Sequence, residues 1–402
     1  MNRLLDFTTH SMTIVNHIMP SLSHRFDLTL SARTDSIELE KKLREARHPI
    51  SEATIRLSTS IPSHWNRRSN QIRVLGCGPL CNIRKLHLWG PFSTPLTLTL
   101  LTDLLTIPAG QNLVHLSFNN MRLSGNKDHH LRFLGVLQEY YSNSLQELRI
   151  SGVRFISGGN GIDDGIGRRE EGDGEDIRTQ LAQTLARFPR LRVIAVSGTD
   201  STELLSLLHA PSVQLLFTST TIQKVILFSL IFSDDDTAFV LQALADNTSV
   251  REASLGLTCG PRGGPALAQL LQHNNTLEKL WVRVPSLVEE ANNHLVAEAL
   301  RTANPQLLEF GLYGEKYLSC RSVDCFVDVL REDNTALQEL ELQSSEESEE
   351  LQFFLSLNRI GRHTLLQDFN NREPWVKALT EARHDLSCTF YLLSTNPTLC
   401  SF

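Results

Sequence analysis

The feature that most limits how this chain can fold is a recurrence. An apolar residue is followed by two variable positions, a second apolar residue, one variable position and a third apolar residue. The pattern appears at Ile83, Leu86 and Leu88, and returns at Leu113, Leu116 and Phe118, at Leu145, Leu148 and Ile150, and at Leu191, Ile194 and Val196. It continues at Ile222, Val225 and Leu227, at Val250, Ala253 and Leu255, and at Leu277, Leu280 and Val282, and ends at Leu307, Phe310 and Leu312 and at Leu337, Leu340 and Leu342. The starts are 30, 32, 46, 31, 28, 27, 30 and 30 residues apart. A near-constant period in this range is the mark of a repeat array, in which each unit buries its apolar face only against its neighbours. The long interval contains an insertion, residues 157–176, with seven acids and two arginines among many glycines.

The segments between triplets have helical spacing. Examples are Asp235–Asp246 (apolar face Phe239, Val240, Leu241, Leu244), Pro265–His273 (Leu267, Leu270, Leu271), Asn292–Thr302 (Leu295, Val296, Ala299, Leu300) and Ser322–Arg331 (Val323, Phe326, Val327, Leu330). Asp234–Asp236 place negative charge where a helix N-terminus favours it. Asn247, Asn275, Asn304 and Asn334 follow the helices and are expected to end them in the left-handed conformation that asparagine tolerates. Each unit is therefore a short strand followed by a helix. The expected fold is α/β: a solenoid with a parallel inner sheet and an outer row of helices. It should bend into a horseshoe, because helices pack about 10 Å apart and strands about 4.8 Å apart.

This pattern resembles the leucine-rich repeat family, in the long-repeat subtype of ribonuclease inhibitor, whose consensus is Leu-x-x-Leu-x-Leu-x-x-Asn/Cys-x-Leu. The resemblance spans roughly residues 80–345 and departs at the Asn/Cys position, occupied here by Met121, Val153, Thr199, Leu230, Thr258 and Pro285. Less regular turns are expected there. The stretch Leu357-Asn358-Arg359-Ile360-Gly361-Arg362, followed by Trp375, Phe390 and Asn396-Pro397, is similar to the ending of repeat proteins of diatom-type algae. That similarity implies a C-terminal cap in which Trp375 and Phe390 close the core. The expected organisation is a flexible segment 1–22, a cap with degenerate repeats 23–82, repeats 83–345 interrupted by the insertion 157–176, and a cap 346–402. Within 23–82, Ile37–Arg47 reads as a helix with Asp35 and Glu38 as its cap pair, and Ala53–Leu57 and Gln71–Leu75 read as strands.

Composition narrows the function. A net charge of −7 and a pI near 6.1 argue against a general nucleic-acid or anionic-membrane binder. Seven cysteines, spread thinly, point to a reducing compartment. No run approaches the roughly 20 apolar residues of a membrane span, and residues 1–22 lack the unbroken apolar core of a secretory signal. A cytoplasmic monomer is expected. Glycosylation-type triplets begin at Asn247 and Asn274 and matter only in a secreted chain.

Catalytic equipment is not legible. Gly158–Asp163 matches one copy of a calcium-binding nonapeptide that works only in tandem. Cys77 with Cys81, and Cys320 with Cys325, lack the paired spacing of a zinc site. His87 and His115 fall on neighbouring predicted strands without a third ligand. The acidic run 344–350 reads as a solvated turn, and the insertion as either a disordered excursion or a recognition element. No cofactor, metal or enzymatic activity is expected.

The strands carry the stronger signal. Side chains alternate along a strand, so residues flanking the buried apolar pair face the concave surface. Trp89, Phe228, Trp281 and Tyr313 fall on that face. Arg283 and Lys279 flank Trp281 on its own strand, and Glu309, Glu339 and Glu341 occupy the following strands. Aromatics with arginine are what protein-interface hot spots are built from. The expected function is non-catalytic binding of another protein on this face. The repeat subtype also resembles the Ran GTPase-activating proteins, which implies regulation of a small GTPase as an alternative; these commonly end in an acidic tail that this chain lacks. Substrate adaptors of ubiquitin ligases are a further alternative, although residues 1–60 contain no convincing F-box.

Overall fold

A computed structural model describes residues 25–30, 52–57, 83–90, 96–106, 112–157, 173–197, 208–228, 232–257, 260–284, 290–314, 317–344, 348–367, 369 and 371–400. The strands are β1 (Arg25–Leu30), β2 (Glu52–Leu57), β3 (Lys85–Trp89), β4 (Leu96–Thr97), β5 (His115–Asn119), β6 (Arg122–Gly125), β7 (Glu147–Ser151), β8 (Arg154–Ser157), β9 (Val193–Ser197), β10 (Lys224–Phe228), β11 (Glu252–Gly256), β12 (Lys279–Val284), β13 (Glu309–Gly314) and β14 (Glu339–Leu342). Eleven of them form one sheet in the order β1-β2-β3-β5-β7-β9-β10-β11-β12-β13-β14. Every pairing is parallel and follows chain order. A parallel sheet that never reorders its strands is what a stack of identical strand–helix units produces. The architecture is an α/β leucine-rich-repeat solenoid.

The helices are α1 (Leu98–Leu105), α2 (Lys127–Val136), α3 (Asp173–Ala186), α4 (Ala210–Phe217), α5 (Asp234–Ala245), α6 (Gly263–His273), α7 (Glu290–Arg301), α8 (Cys320–Glu332), α9 (Glu349–Arg359), α10 (Arg362–Gln367), α11 (Arg372–Glu381) and α12 (Leu386–Thr395). The recurring triplet lies in register from unit to unit. Leu86, Leu116, Leu148 and Ile194 are successive partners, as are Val225, Ala253, Leu280, Phe310 and Leu340. These columns, with the first triplet residues and the inner helix faces, make one continuous apolar core. Helix α3 begins at Asp173, so the last residues of the acidic segment 157–176 belong to a helix.

The first departure from the Asn/Cys position has its own solution, whereas Thr199, Leu230, Thr258 and Pro285 lie outside the described residues. Met121 is fully buried there, and the preceding Asn120 takes a positive φ of 51°. After it the chain runs straight into β6, which joins β4 and β8 in a second, three-stranded parallel sheet.

Two helical residues face differently from the spacing argument. Phe239 and Leu295 are exposed, while Val240, Leu241 and Leu244, and Val296, Ala299 and Leu300, are buried. The core accepts a narrower stripe than the four-residue apolar faces suggested, and Phe239 and Leu295 stand at its edge.

The asparagines also act differently. None of Asn247, Asn275, Asn304 and Asn334 has a positive φ. The equivalent residue in the unit of Leu277 is buried Asn274, three positions before that leucine; Asn275 is exposed. Asn247 Oδ1 accepts from the backbone N–H of Ser249 at 2.9 Å and Val250 at 2.7 Å, and its Nδ2 donates to Phe217 O in the preceding unit at 2.6 Å. Asn274 repeats this with Thr276 N and Leu277 N, and donates to both Leu244 O and Asn247 O. Asn334 bonds Ala336 N, Leu337 N and Leu300 O. Asn358 donates to Asn334 O and Leu337 O. The side chains thus satisfy backbone groups at the helix-to-strand turn of one unit and tie it to the unit before. Both glycosylation-type triplets start on members of this ladder, and their side-chain amides are buried and engaged.

After β14 the chain turns through the short stretch 358–362. Asn358 ends the ladder. Gly361 turns the chain with a φ of +98° that a side chain would strain. Arg362 is buried and donates to Leu330 O at 2.7 Å and Arg331 O at 2.6 Å in the last turn of α8. A cation suits the negative end of that helix. Its guanidinium also lies 5.4 Å from the Phe354 ring centroid and 5.7 Å from that of Tyr391. Trp375 is buried edge-on against Phe369. Phe390 does not join it: it is 74% exposed, and Cys388 and Leu392 are the residues that α12 turns inward. The helix period places Phe390 on the opposite side from these two.

Segment 1–22, the expected helix Ile37–Arg47 with Asp35 and Glu38, the expected strand Gln71–Leu75, Cys77, Cys81 and Gly158–Asp163 lie outside the described residues.

Candidate functional site

The open face of the sheet is the side of the strands turned away from the helices, and register fixes which side chains meet on it. The first position of each strand forms one column across the sheet: Arg25, Glu52, Lys85, His115, Glu147, Val193, Lys224, Glu252, Lys279, Glu309 and Glu339. Opposite charges alternate along much of it. Lys85 pairs with Glu52 at 3.8 Å, Lys224 with Glu252 at 2.5 Å and Lys279 with Glu309 at 2.5 Å. Cross-strand pairs of this kind stabilise a sheet locally and also fix what charge each strand shows to a partner.

His87 and His115 do not form a pair. His87 Nδ1 meets Ser117 Oγ at 2.7 Å, while His115 Nδ1 meets Glu147 Oε2 at 2.5 Å. Burial opposes the charge on Glu147, but the hydrogen bond from His115 and the adjacent Arg149 outweigh it and hold the carboxyl at about 2. Among the described residues no group of three or more His, Cys, Asp or Glu side chains is placed to hold a metal ion.

The next open-face column of the later strands, their third position, reads Ser254, Trp281, Gly311 and Glu341, and their fifth reads Gly256, Arg283 and Tyr313. Trp281 is thus flanked by two small residues. A Cβ on Gly311 would clash with Trp281 Cδ1 and would lie 2.9 Å from both Trp281 Nε1 and Tyr313 Cε2, so the indole edge and the tyrosine ring both crowd onto the glycine. Only glycine permits this approach. Tyr313 donates its hydroxyl to Glu341 Oε2 at 2.5 Å. Burial, followed by this hydrogen bond, raises the phenol well above its ordinary pKa, so the ring remains a neutral donor. Trp281 and Tyr313 are partly buried, and Arg283 is exposed and forms no ion pair among the described residues.

The nine residues singled out by sequence are therefore not one patch. Trp281, Tyr313 and Glu341 are in contact, with Arg283 in register beside Tyr313. Lys279 is joined to Glu309, whose register partner Glu339 is exposed. Phe228 is two strands from Arg283, across Gly256. Trp89 stands four strand steps from Phe228, about 19 Å away, with Asn119, Ser151 and Ser197 between. Gly311 is the site residue that sequence reasoning missed. The signal for it was a glycine at a strand centre, which marks the close approach of another group.

A further device joins the helices of neighbouring units. Asp234, in the first turn of α5, accepts from the backbone N–H of Gly260 at 2.6 Å, Gly263 at 2.8 Å and Arg262 at 2.9 Å. One unit thereby caps the helix of the next. Slight burial opposes ionisation of Asp234, and the three amides outweigh it and lower its pKa.

No family model matches the chain, and no curated protein matches it. Similarity appears among solved structures. The leucine-rich repeat-containing protein LegL7 from Legionella pneumophila is 13% identical, with 78% of this chain and 100% of that one covered and a TM-score of 0.39. A chain of the yeast Rad7 and Elc1 complex is 14% identical, covering 79% and 77%, with a TM-score of 0.38. Leiomodin-1 actin-binding site 2 is 20% identical, covering 40% and 93%, with a TM-score of 0.34. The fold assignment rests on the strand order and register of this chain itself. Among the described residues, no helix is long and apolar enough to cross a membrane.

Proposed function

We propose that this chain is a non-catalytic scaffold that binds another protein on the open sheet face of β11–β14, and that it acts as a cytoplasmic monomer. The observation that carries the reading is the Trp281–Tyr313–Glu341 cluster beside exposed Arg283. The indole is held against Gly311 with part of its surface still open to a partner. Rigid aromatic rings lose little entropy on docking, and aromatic–arginine clusters concentrate binding energy at interfaces. The parallel sheet holds them on a stiff support, so little ordering is required when a partner arrives.

Proximity labelling with wild type and with a Trp281→Ala/Tyr313→Ala double variant tests this. Both side chains lie on the open face of the sheet and are partly buried, so the variant should keep its circular dichroism spectrum and a cooperative melt, with a lowered midpoint. A set of partners present with wild type and depleted at least tenfold with the folded variant is expected, since hot-spot truncations cost about 2 kcal/mol or more. An identical set of partners from both proteins would remove this face from consideration.

A further inference from the structure

We infer that the open face at β13–β14 is built to seat a cationic side chain, arginine or lysine, from a partner polypeptide, held between Glu339 and Glu341 against the outer faces of Trp281 and Tyr313. The inference rests on the protein-binding reading and adds the chemistry of the partner.

The charge ladder breaks at β14. Lys224, Glu252, Lys279 and Glu309 alternate in sign across adjacent strands, and the alternation fails at the last step. Glu309 and Glu339 are direct register partners, and like charges opposite one another repel. Lys279 is bonded to Glu309 and stands also in the field of Glu252 and Glu339. Glu339 is exposed and forms no ion pair among the described residues. On the open face of β10–β14 the cations are Lys224, Lys279 and Arg283, and the acids are Glu252, Glu309, Glu339 and Glu341. Three positive charges face four negative ones, and the surplus sits at Glu339 and Glu341 on a single strand. Tyr313 gives Glu341 a neutral hydrogen bond, which orients the carboxylate without cancelling its charge.

The aromatic rings make this more than a group of acids. A cation over an aromatic face is attracted by the ring quadrupole, and nearby carboxylates add to that attraction. Trp281 leans over Gly311 toward Glu341, so ring and carboxylate border the same spot. An acidic or purely apolar partner would leave the surplus charge at Glu339 and Glu341 in place. A cationic side chain relieves it.

The test is a titration of the full chain with hexa-arginine, hexa-lysine and hexa-glutamate peptides, followed by calorimetry. Glu339→Lys supplies the missing cation from the chain itself at an exposed position. Asp324→Lys, on the outer surface of α8, makes the same change in net charge elsewhere. The basic peptides should bind and hexa-glutamate should not. Glu339→Lys should weaken basic-peptide binding by about tenfold or more, the effect of reversing one close charge, and should raise the melting midpoint by completing the ladder. Asp324→Lys should change the affinity by less than about twofold. Equal losses from the two variants, or undiminished binding to Glu339→Lys, would overturn the inference. Failure of the basic peptides to bind would also overturn it. If partner recovery still depended on Trp281 and Tyr313 in that case, the protein-binding face would stand and the cation seat alone would fall.

Discussion

Replacing Asn274 with alanine should lower the free energy of unfolding by about 3–5 kcal/mol, because each buried backbone group left without a partner costs about 1–3 kcal/mol. Asn274 is 3% exposed and makes four backbone bonds, to Thr276 N, Leu277 N, Leu244 O and Asn247 O. Alanine fills none of these roles. The two N–H groups have no alternative acceptor at the turn, whereas the two carbonyls keep a second lone pair, so the amides should dominate the loss. Asn275→Ala, one residue away on the surface, should change stability by less than about 0.5 kcal/mol. Urea denaturation of the two variants measures the difference. Similar midpoints for both would mean that the ladder does not bind the units together.

Arg362→Ala should cost about 3 kcal/mol or more, in the range seen when one member of a buried charge-assisted contact is removed. The guanidinium fork reaches two carbonyls at the end of α8 while its plane packs on Phe354 and Tyr391. Arg362→Lys keeps the charge but loses the fork and the flat stacking surface, and should restore less than half of the lost stability. Arg362 is the main polar tie between α8 and the start of α10, so the loss should be local to the cap. Limited proteolysis of Arg362→Ala should cut within residues 349–400 before it cuts the central repeats. A cap as resistant as the wild type's would contradict this role for Arg362.

Much of the fold was legible in the sequence because a parallel strand stack turns spacing directly into register. The residues two places before each triplet's end, from Leu86 to Leu340, are the ones found partnered across the sheet. The asparagine ladder was not legible, because its meaning lies between units. Asn274 looks like a turn residue until Leu244 and Asn247 are brought beside it. Nor could helical spacing say that Phe239, Leu295 and Phe390 stay outside, since that depends on how wide a stripe the neighbouring elements cover. For the candidate site, alternation along each strand placed Trp281, Arg283 and Tyr313 on the open face. The lean of Trp281 over Gly311, and the failure of charge alternation at Glu339, required strand-to-strand register.

The most direct test of the protein-binding account is site-specific photo-crosslinking in cells. One photoreactive residue is placed at Ser254, on the open face beside Trp281, and another at Phe239, exposed on helix α5. The account predicts a discrete protein adduct from position 254 that disappears in the Trp281→Ala/Tyr313→Ala background, and none from position 239. Adducts from position 239 alone would contradict it and place binding on the helical side of the solenoid.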